Sequence, residues 1–352
     1  MQQRLLFVSS PVGPLPSGIV GGVRNAILNA YQGLEAKGYS IEIVAPEGSR
    51  LKGYHITEVS GKYQPSLPCV DDKSIYPIVE GGFLPRAWEY ALEQQSRFDI
   101  ILNFANDWLP YYLGPFFTKP VLHRVNLSGE NAAVSQQLRS LAGQDPHRIG
   151  VLSRAQAQDI GLPETVYLLG QGIPVKHYPF FEKPQTDALL YLGRVSPEKG
   201  IEDALTIAQA LKRTLRVAGY LQDAHYLDTL RSRFGSTLDY RGFLNHQDMM
   251  REMESAAALL LTPSWNEAFG QVLIEALACG LPVITYRQGG PGEIIDHGET
   301  GLFICRDNLE AACASIASID TIDRKRCRQV AEERFSLEGL CERYQKWFNK
   351  LN

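Results

Sequence analysis

The chain has 352 residues, 44% hydrophobic and 21% charged, with a formal net charge of −4, a composition long for one globular domain and comfortable for two. Residues 1–180 carry 15 Lys plus Arg against 15 Asp plus Glu, so no basic stripe argues for nucleic acid or an anionic membrane surface. There is no apolar run of 18 residues and no signal peptide, and the six cysteines (Cys69, Cys279, Cys305, Cys313, Cys327 and Cys341) show no C-x-x-C pair. The expected setting is therefore a reducing cytoplasm rather than a membrane or a disulfide scaffold.

The first predicted element is a strand over residues 4–9, where Leu5-Leu6-Phe7-Val8 is a continuous apolar run suited to burial on both faces. A loop rich in Pro and Gly, SSPVGPLPSGIVGG, leads to a predicted helix over 23–37 and a second strand over 41–45. That is a βαβ unit, the building block of a doubly wound sheet. Gly21 and Gly22 lie in the loop before the helix, where a ligand can approach backbone without meeting a Cβ. No G-x-G-x-x-G turn follows the strand, which argues against NAD. Residues 47–98 are the hardest to read, apart from a helix over 85–95. Strands are predicted again over 100–102, 120–123, 149–153 and 165–169. Trp108, Tyr111, Tyr112, Phe116 and Phe117 crowd the stretch between the first two of these, as core or as a stacking face. His123 ends one strand, in front of the polar loop 124–129, at the sheet end where α/β sites lie.

A Pro-containing linker over 181–187 precedes a second series of strands, at 188–192, 214–219, 238–242, 257–261 and 283–286. The loop after the first reads G-R-V-S-P-E-K-G, with Arg194 and Lys199 five positions apart before a helix opening near Ile201. Two such cations beside a helix N-terminus suit a diphosphate. The strand at 257–261 runs into the loop T-P-S-W-N-E-A-F-G and a helix over 270–279, stopped by Gly280 and Pro282. Glu267 stands in that loop, and Glu275 at the edge of the helix's apolar face. Between them, Ala268, Phe269 and Gly270 bring backbone N–H groups to a helix start, an anion site flanked by two hydroxyl acceptors. A nucleotide sugar needs both features together.

E-x7-E with A-F-G after the first Glu, E-A after the second and then C-G-x-P-V-I resembles the signature of retaining glycosyltransferases of family 4. The loop from Gly193 to Gly200 matches the family's G-R-x-x-x-x-K-G. The resemblance covers nearly the whole chain; Gln171 and Pro174 depart from the family's N-G-V-D. It implies the α/β GT-B fold, two Rossmann-like doubly wound domains facing across a cleft. These would be an acceptor-binding domain at 1–180, a nucleotide-sugar-binding domain at 181–335 and a last helix, 336–352, crossing back to the first. It further implies that Arg194 and Lys199 neutralise a leaving diphosphate with no metal, consistent with the missing D-x-D. Glu267 would serve the transferred hexose and Glu275 the ribose, with the base read near Leu244. His123 would hydrogen-bond near the anomeric centre, and Gly21 and Gly22 would sit on the acceptor side. No cofactor is implied; the expected donor is a UDP-sugar, UDP-glucose before others. The opening FVSSPVGPLPSGIVGGV is similar to that of cyanobacterial-type pterin glucosyltransferases, which makes a tetrahydropterin the expected small-molecule acceptor. The alternatives are a sugar acceptor in polysaccharide assembly, a nucleotide-sugar-binding relative without transferase activity, and a nucleotide-sugar epimerase.

Overall fold

The computed structural model describes residues 3–15, 21–64 and 79–351. Cys69, Ser17 and the other residues at 16–20 lie outside the described residues. The chain divides into two compact units, Met1–Gln171 with Leu337–Asn352, and Gly172–Ser336.

The first unit is a seven-stranded sheet of β1 (Arg4–Val8), β2 (Ser40–Pro46), β3 (Ile56–Val59), β4 (Ile100–Asn103), β5 (Val121–Arg124), β6 (Ile149–Val151) and β7 (Tyr167–Leu168). Their spatial order is β3-β2-β1-β4-β5-β6-β7. The second unit holds β8 (Leu189–Leu192), β9 (Leu215–Ala218), β10 (Leu238–Gly242), β11 (Ala258–Leu261), β12 (Val283–Tyr286) and β13 (Gly301–Ile304), ordered β10-β9-β8-β11-β12-β13. Every ladder is parallel. Counted within the second unit this is the order 3-2-1-4-5-6 of a Rossmann sheet, and the chain direction reverses between β8 and β11. In the first unit the reversal falls between β1 and β4.

Alternation along β1 shows why its run is wholly apolar. Leu5 and Phe7 pack with Ile27 and Tyr31 of the helix Gly21–Ala36 and with Tyr344 and Trp347 of the helix Leu337–Phe348. Leu6 and Val8 point to the other face, against Phe83, Leu84 and Trp88 of the helix Phe83–Gln94. A strand covered on both faces cannot alternate with polar residues.

The first unit ends at Gln171 rather than at 180, because residues beyond it are bonded into the second unit. Ile173 N–H donates to Phe335 O at 2.9 Å, and Arg328 holds the carbonyl of Tyr178 at 2.7 Å. The helix Gly21–Ala36 also begins two residues before the expected position, so Gly21 and Gly22 occupy its first turn instead of the loop. Neither residue has to break a helix that starts with it; glycine lowers helix propensity without forbidding the conformation.

Trp347 fixes the terminal helix to the first unit. It is fully buried, its ring lies parallel to Tyr167 with centroids 5.8 Å apart, and its Nε1–H donates to His147 O at 2.6 Å. A Cβ added at Gly150 would stand 2.6 Å from its indole, so the strand is glycine where the ring lies on it. Trp347→Ala is expected to destabilise the protein by about 3–5 kcal/mol, measurable as a lowered midpoint in chemical denaturation.

Candidate active site

In an open parallel sheet, ligands bind outside the carboxyl ends of the strands, where the chain direction reverses. In the second unit that point lies between the loops following β8 and β11. The first carries Arg194 and Lys199, the second Glu267, and the structure brings the two loops together.

Their register is set by backbone. After the short turn Pro197–Lys199, Gly200 takes the left-handed conformation at φ +72 and opens the helix Ile201–Ala210. A Cβ there would stand 1.6 Å from the carbonyl oxygen of Thr262, so only glycine fits. Thr262 Oγ1 donates to Gly200 O at 2.7 Å. Ser264 N–H and Oγ both donate to Glu198 O, at 3.0 and 2.9 Å. With the loops so aligned, Lys199 Nζ meets Glu267 Oε2 at 2.7 Å and lies 4.3 Å from the centre of the Trp265 ring. Arg194 donates to Glu198 Oε1 at 2.8 Å, and Ser196 Oγ bonds the same oxygen at 2.7 Å.

A third loop closes on this pair. Gly290 N–H donates to Glu267 O at 2.7 Å, and a Cβ at Gly290 would come within 2.4 Å of Phe269 Cα. Ala268 and Phe269 are buried, and Gly270, at φ +94, caps the helix Gln271–Ala278. The first N–H groups of that helix have no intrahelical acceptor and face the same end of the sheet.

Glu275 is not an edge residue. It is 7% exposed, receives Gln271 Nε2 at 2.8 Å and Tyr178 OH at 3.4 Å, and burial pushes its carboxyl up to about 7. Tyr178 comes from the stretch after Gln171, which is why it belongs with the second unit. Leu244 is half-buried in the turn between β10 and the helix His246–Ser255, preceded by Phe243, which is 64% exposed.

The candidates of the first unit are placed differently. His123 lies within β5 and is fully buried, its ring edge-on to Tyr111. Asn103 Oδ1 accepts from Ala105 N–H, so its amide nitrogen is the group turned toward His123 Nδ1, at 3.2 Å. That assigns Nδ1 as acceptor and puts the proton on Nε2, a buried atom with no partner beneath Gly114. Desolvation lowers the His123 pKa to about 3, so the ring is neutral. Gly22 is exposed, and a Cβ on it would meet nothing within 4 Å. The aromatic stretch divides between core and surface. Tyr111 is buried and Phe117 packs on Trp88, while Trp108 stacks on Tyr112 at 4.9 Å and Tyr112 and Phe116 are exposed.

Sequence reasoning passed over Glu198, Trp265, Gln271 and Tyr178. Gln271 was visible as the fourth residue before Glu275 on the same helix, a spacing that brings side chains together, whereas Arg194 precedes Glu198 in a loop, where that spacing carries no signal. Tyr178 is nearly a hundred positions from Glu275 and left no local signal. Among the described residues, no cluster of three or more His, Cys, Asp or Glu could hold a metal ion, and no helix is long and apolar enough to cross a membrane.

Two Rossmann-type parallel sheets, with paired cations and carboxylates at the switch point of the second, define a glycosyltransferase of the GT-B class. The chain belongs to the glycosyl transferases group 1 family, whose description matches residues 177–334. It is 32% identical to an uncharacterized glycosyltransferase of Methanocaldococcus jannaschii, over 84% of each chain. It is 24% identical to the glycogen synthase of Mycobacterium tuberculosis, over 95% of this chain and 90% of that one. Its fold is similar to that of Anabaena HepE in complex with UDP and glucose, with a TM-score of 0.74 at 18% identity over 99% of this chain and all of the other.

Because Glu275 is pushed up to about 7 from 4.5, the folded protein holds its proton more tightly than the unfolded chain does. The stability so contributed is full below about pH 4.5 and is lost as pH rises through about 7, by roughly 3 kcal/mol. Glu275→Gln should therefore gain on the wild type in denaturation midpoint between pH 5 and pH 8. A difference independent of pH would show that Glu275 folds already ionised.

Proposed function

We propose that the protein transfers glucose from UDP-glucose to a small-molecule acceptor, with retention of the anomeric configuration and without a divalent metal. The observation that carries this reading is the stitched pair of loops at the β8–β11 switch point. There Arg194 and Lys199 precede the helix Ile201–Ala210, and Glu267, in the loop that leads to the helix Gln271–Ala278, lies against Lys199 at 2.7 Å. In the proposed mechanism the two cations and the helix N–H groups take the growing charge of the leaving diphosphate. Glu267 accepts from hydroxyls of the hexose, and Glu275 from those of the ribose. Backbone near Leu244 reads the base. The acceptor attacks from the face the diphosphate leaves, through an oxocarbenium-like transition state, and the donor phosphate takes its proton. Anabaena HepE, solved with UDP and glucose, supports a donor of this kind on this fold.

For the acceptor we propose a tetrahydropterin, held on the side of Gly21 and Gly22. The support is the composition of residues 11–22, with four glycines, three prolines and no charge, which suits a flat, mostly neutral heterocycle. A second reading, a sugar acceptor, is favoured by the similarity to a glycogen synthase along 95% of this chain. His123, neutral and fully buried, would not serve as a base. A limb near pH 7 in the activity profile would then belong to Glu275.

Purified protein incubated with UDP-glucose and either a tetrahydropterin or an oligosaccharide should glucosylate the pterin, and EDTA should not slow it. Turnover confined to the oligosaccharide would reject the pterin, and loss of activity in EDTA restored by magnesium would reject the metal-free mechanism. Glu275→Ala should weaken UDP binding by roughly one to two decades, the worth of a charged hydrogen bond at about 1.5–3 kcal/mol. Glu267→Ala should slow transfer by a similar factor and leave UDP affinity nearly unchanged. Equal losses of UDP affinity in the two variants would refute this division.

A further inference from the structure

We propose that Trp265 is a positioning residue for the donor's diphosphate, holding the Lys199 ammonium in place through the face of its indole. The inference rests on the reading of Lys199 as a phosphate ligand and adds a residue to it. Three observations lead to it.

The first is register. Thr262 bonds Gly200 and Ser264 bonds Glu198, so the two loops run past each other with Trp265 beside Lys199. Lys199 Nζ sits 4.3 Å from the ring centre while Glu267 Oε2 holds it at 2.7 Å. The indole face thus holds the ammonium in place beside Glu267, and its N–H groups can turn to an incoming anion that re-pairs with it.

The second is rigidity. Besides the contacts of Ser264, the carbonyl of Pro263 accepts from Arg306. The indole therefore stands on a pinned backbone. A lysine carries a flexible four-carbon stem, and ordering it at the moment of binding would subtract from affinity. A platform that orders it beforehand removes that loss.

The third is the choice of side chain. Trp265 is half-buried, and its Nε1 is buried without an acceptor. An unsatisfied donor is a cost that Leu or Phe would avoid as a mere filler. Indole offers the strongest cation-binding face among side chains, and here that face carries the cation.

The test uses the full chain and two probes, inorganic diphosphate and UDP, titrated by calorimetry. Trp265→Leu should weaken both about tenfold, and Trp265→Phe, which keeps a weaker aromatic face, about two- to threefold. In a Lys199→Ala background the same Leu substitution should change affinity less than twofold, because the group it positions is gone. A residue that only supports the fold would instead give losses that multiply in the double variant, with no rescue by Phe. Such additivity, or a Leu variant that binds as the wild type does, overturns the proposal while leaving the donor reading intact. A wild type that binds neither probe overturns the donor reading itself. If the Leu variant unfolds, Trp265→Phe carries the same double-variant test.

Discussion

The contact between Gly200 and the carbonyl of Thr262 is the constraint on which the rest of the second unit's site depends. No side chain fits there, since a Cβ would stand 1.6 Å from the oxygen, and the left-handed φ of Gly200 excludes most residues independently. With the backbone fixed at that point, Ser264 falls opposite Glu198, and Lys199 falls opposite Trp265 and Glu267. The ion pair follows from the backbone register and does not create it. Lys199 and Glu267 keep about a fifth of their side-chain surface, 21% and 22%. Such a partly exposed pair, whose attraction is offset by the cost of desolvating both charges, does not by itself align two loops against their conformational entropy.

The charges themselves are balanced rather than massed. Arg194 is matched by Glu198 and Lys199 by Glu267, so the strand ends present paired groups instead of a bare cationic patch. An anion arriving there gains by re-pairing, and its affinity reflects the difference between two sets of partners. Glu198 is suited to such an exchange, because its backbone is held by Ser264 while its side chain is 36% exposed.

The sequence made the second unit more legible than the first, for reasons visible in particular residues. Leu189–Leu192 and Val283–Tyr286 are buried along their length, as is Ala258–Leu261 except at its last residue, and a doubly covered strand must be an unbroken apolar run. β3, Ile56–Val59, is half-buried throughout and sits at the sheet edge, where polar residues are tolerated and the run dissolves. β13 was missed because GLFI is short and follows a turn that looks like any loop. The site divided in the same way. Arg194, Lys199, Glu267 and Glu275 lie in dense local motifs, whereas Tyr178 reaches Glu275 only through the tertiary fold. Glu275 looked like an edge residue on a helical wheel, and a wheel cannot show that Tyr178 and Gln271 cover it.

The polar groups of the two units are also organised on opposite principles. In the second, the ionisable side chains of the loops after β8 and β11 stay partly exposed and pair with one another. In the first, His123 and Asp107 are buried: desolvation lowers the His123 pKa to about 3, which leaves the ring neutral, and raises the Asp107 carboxyl to about 6. Asn103 serves as the pivot, its amide fixed by Ala105 on both sides before it reaches His123. Such groups can donate or accept in one fixed direction but cannot respond to charge cheaply. The family match at 177–334 falls within the second unit, Gly172–Ser336.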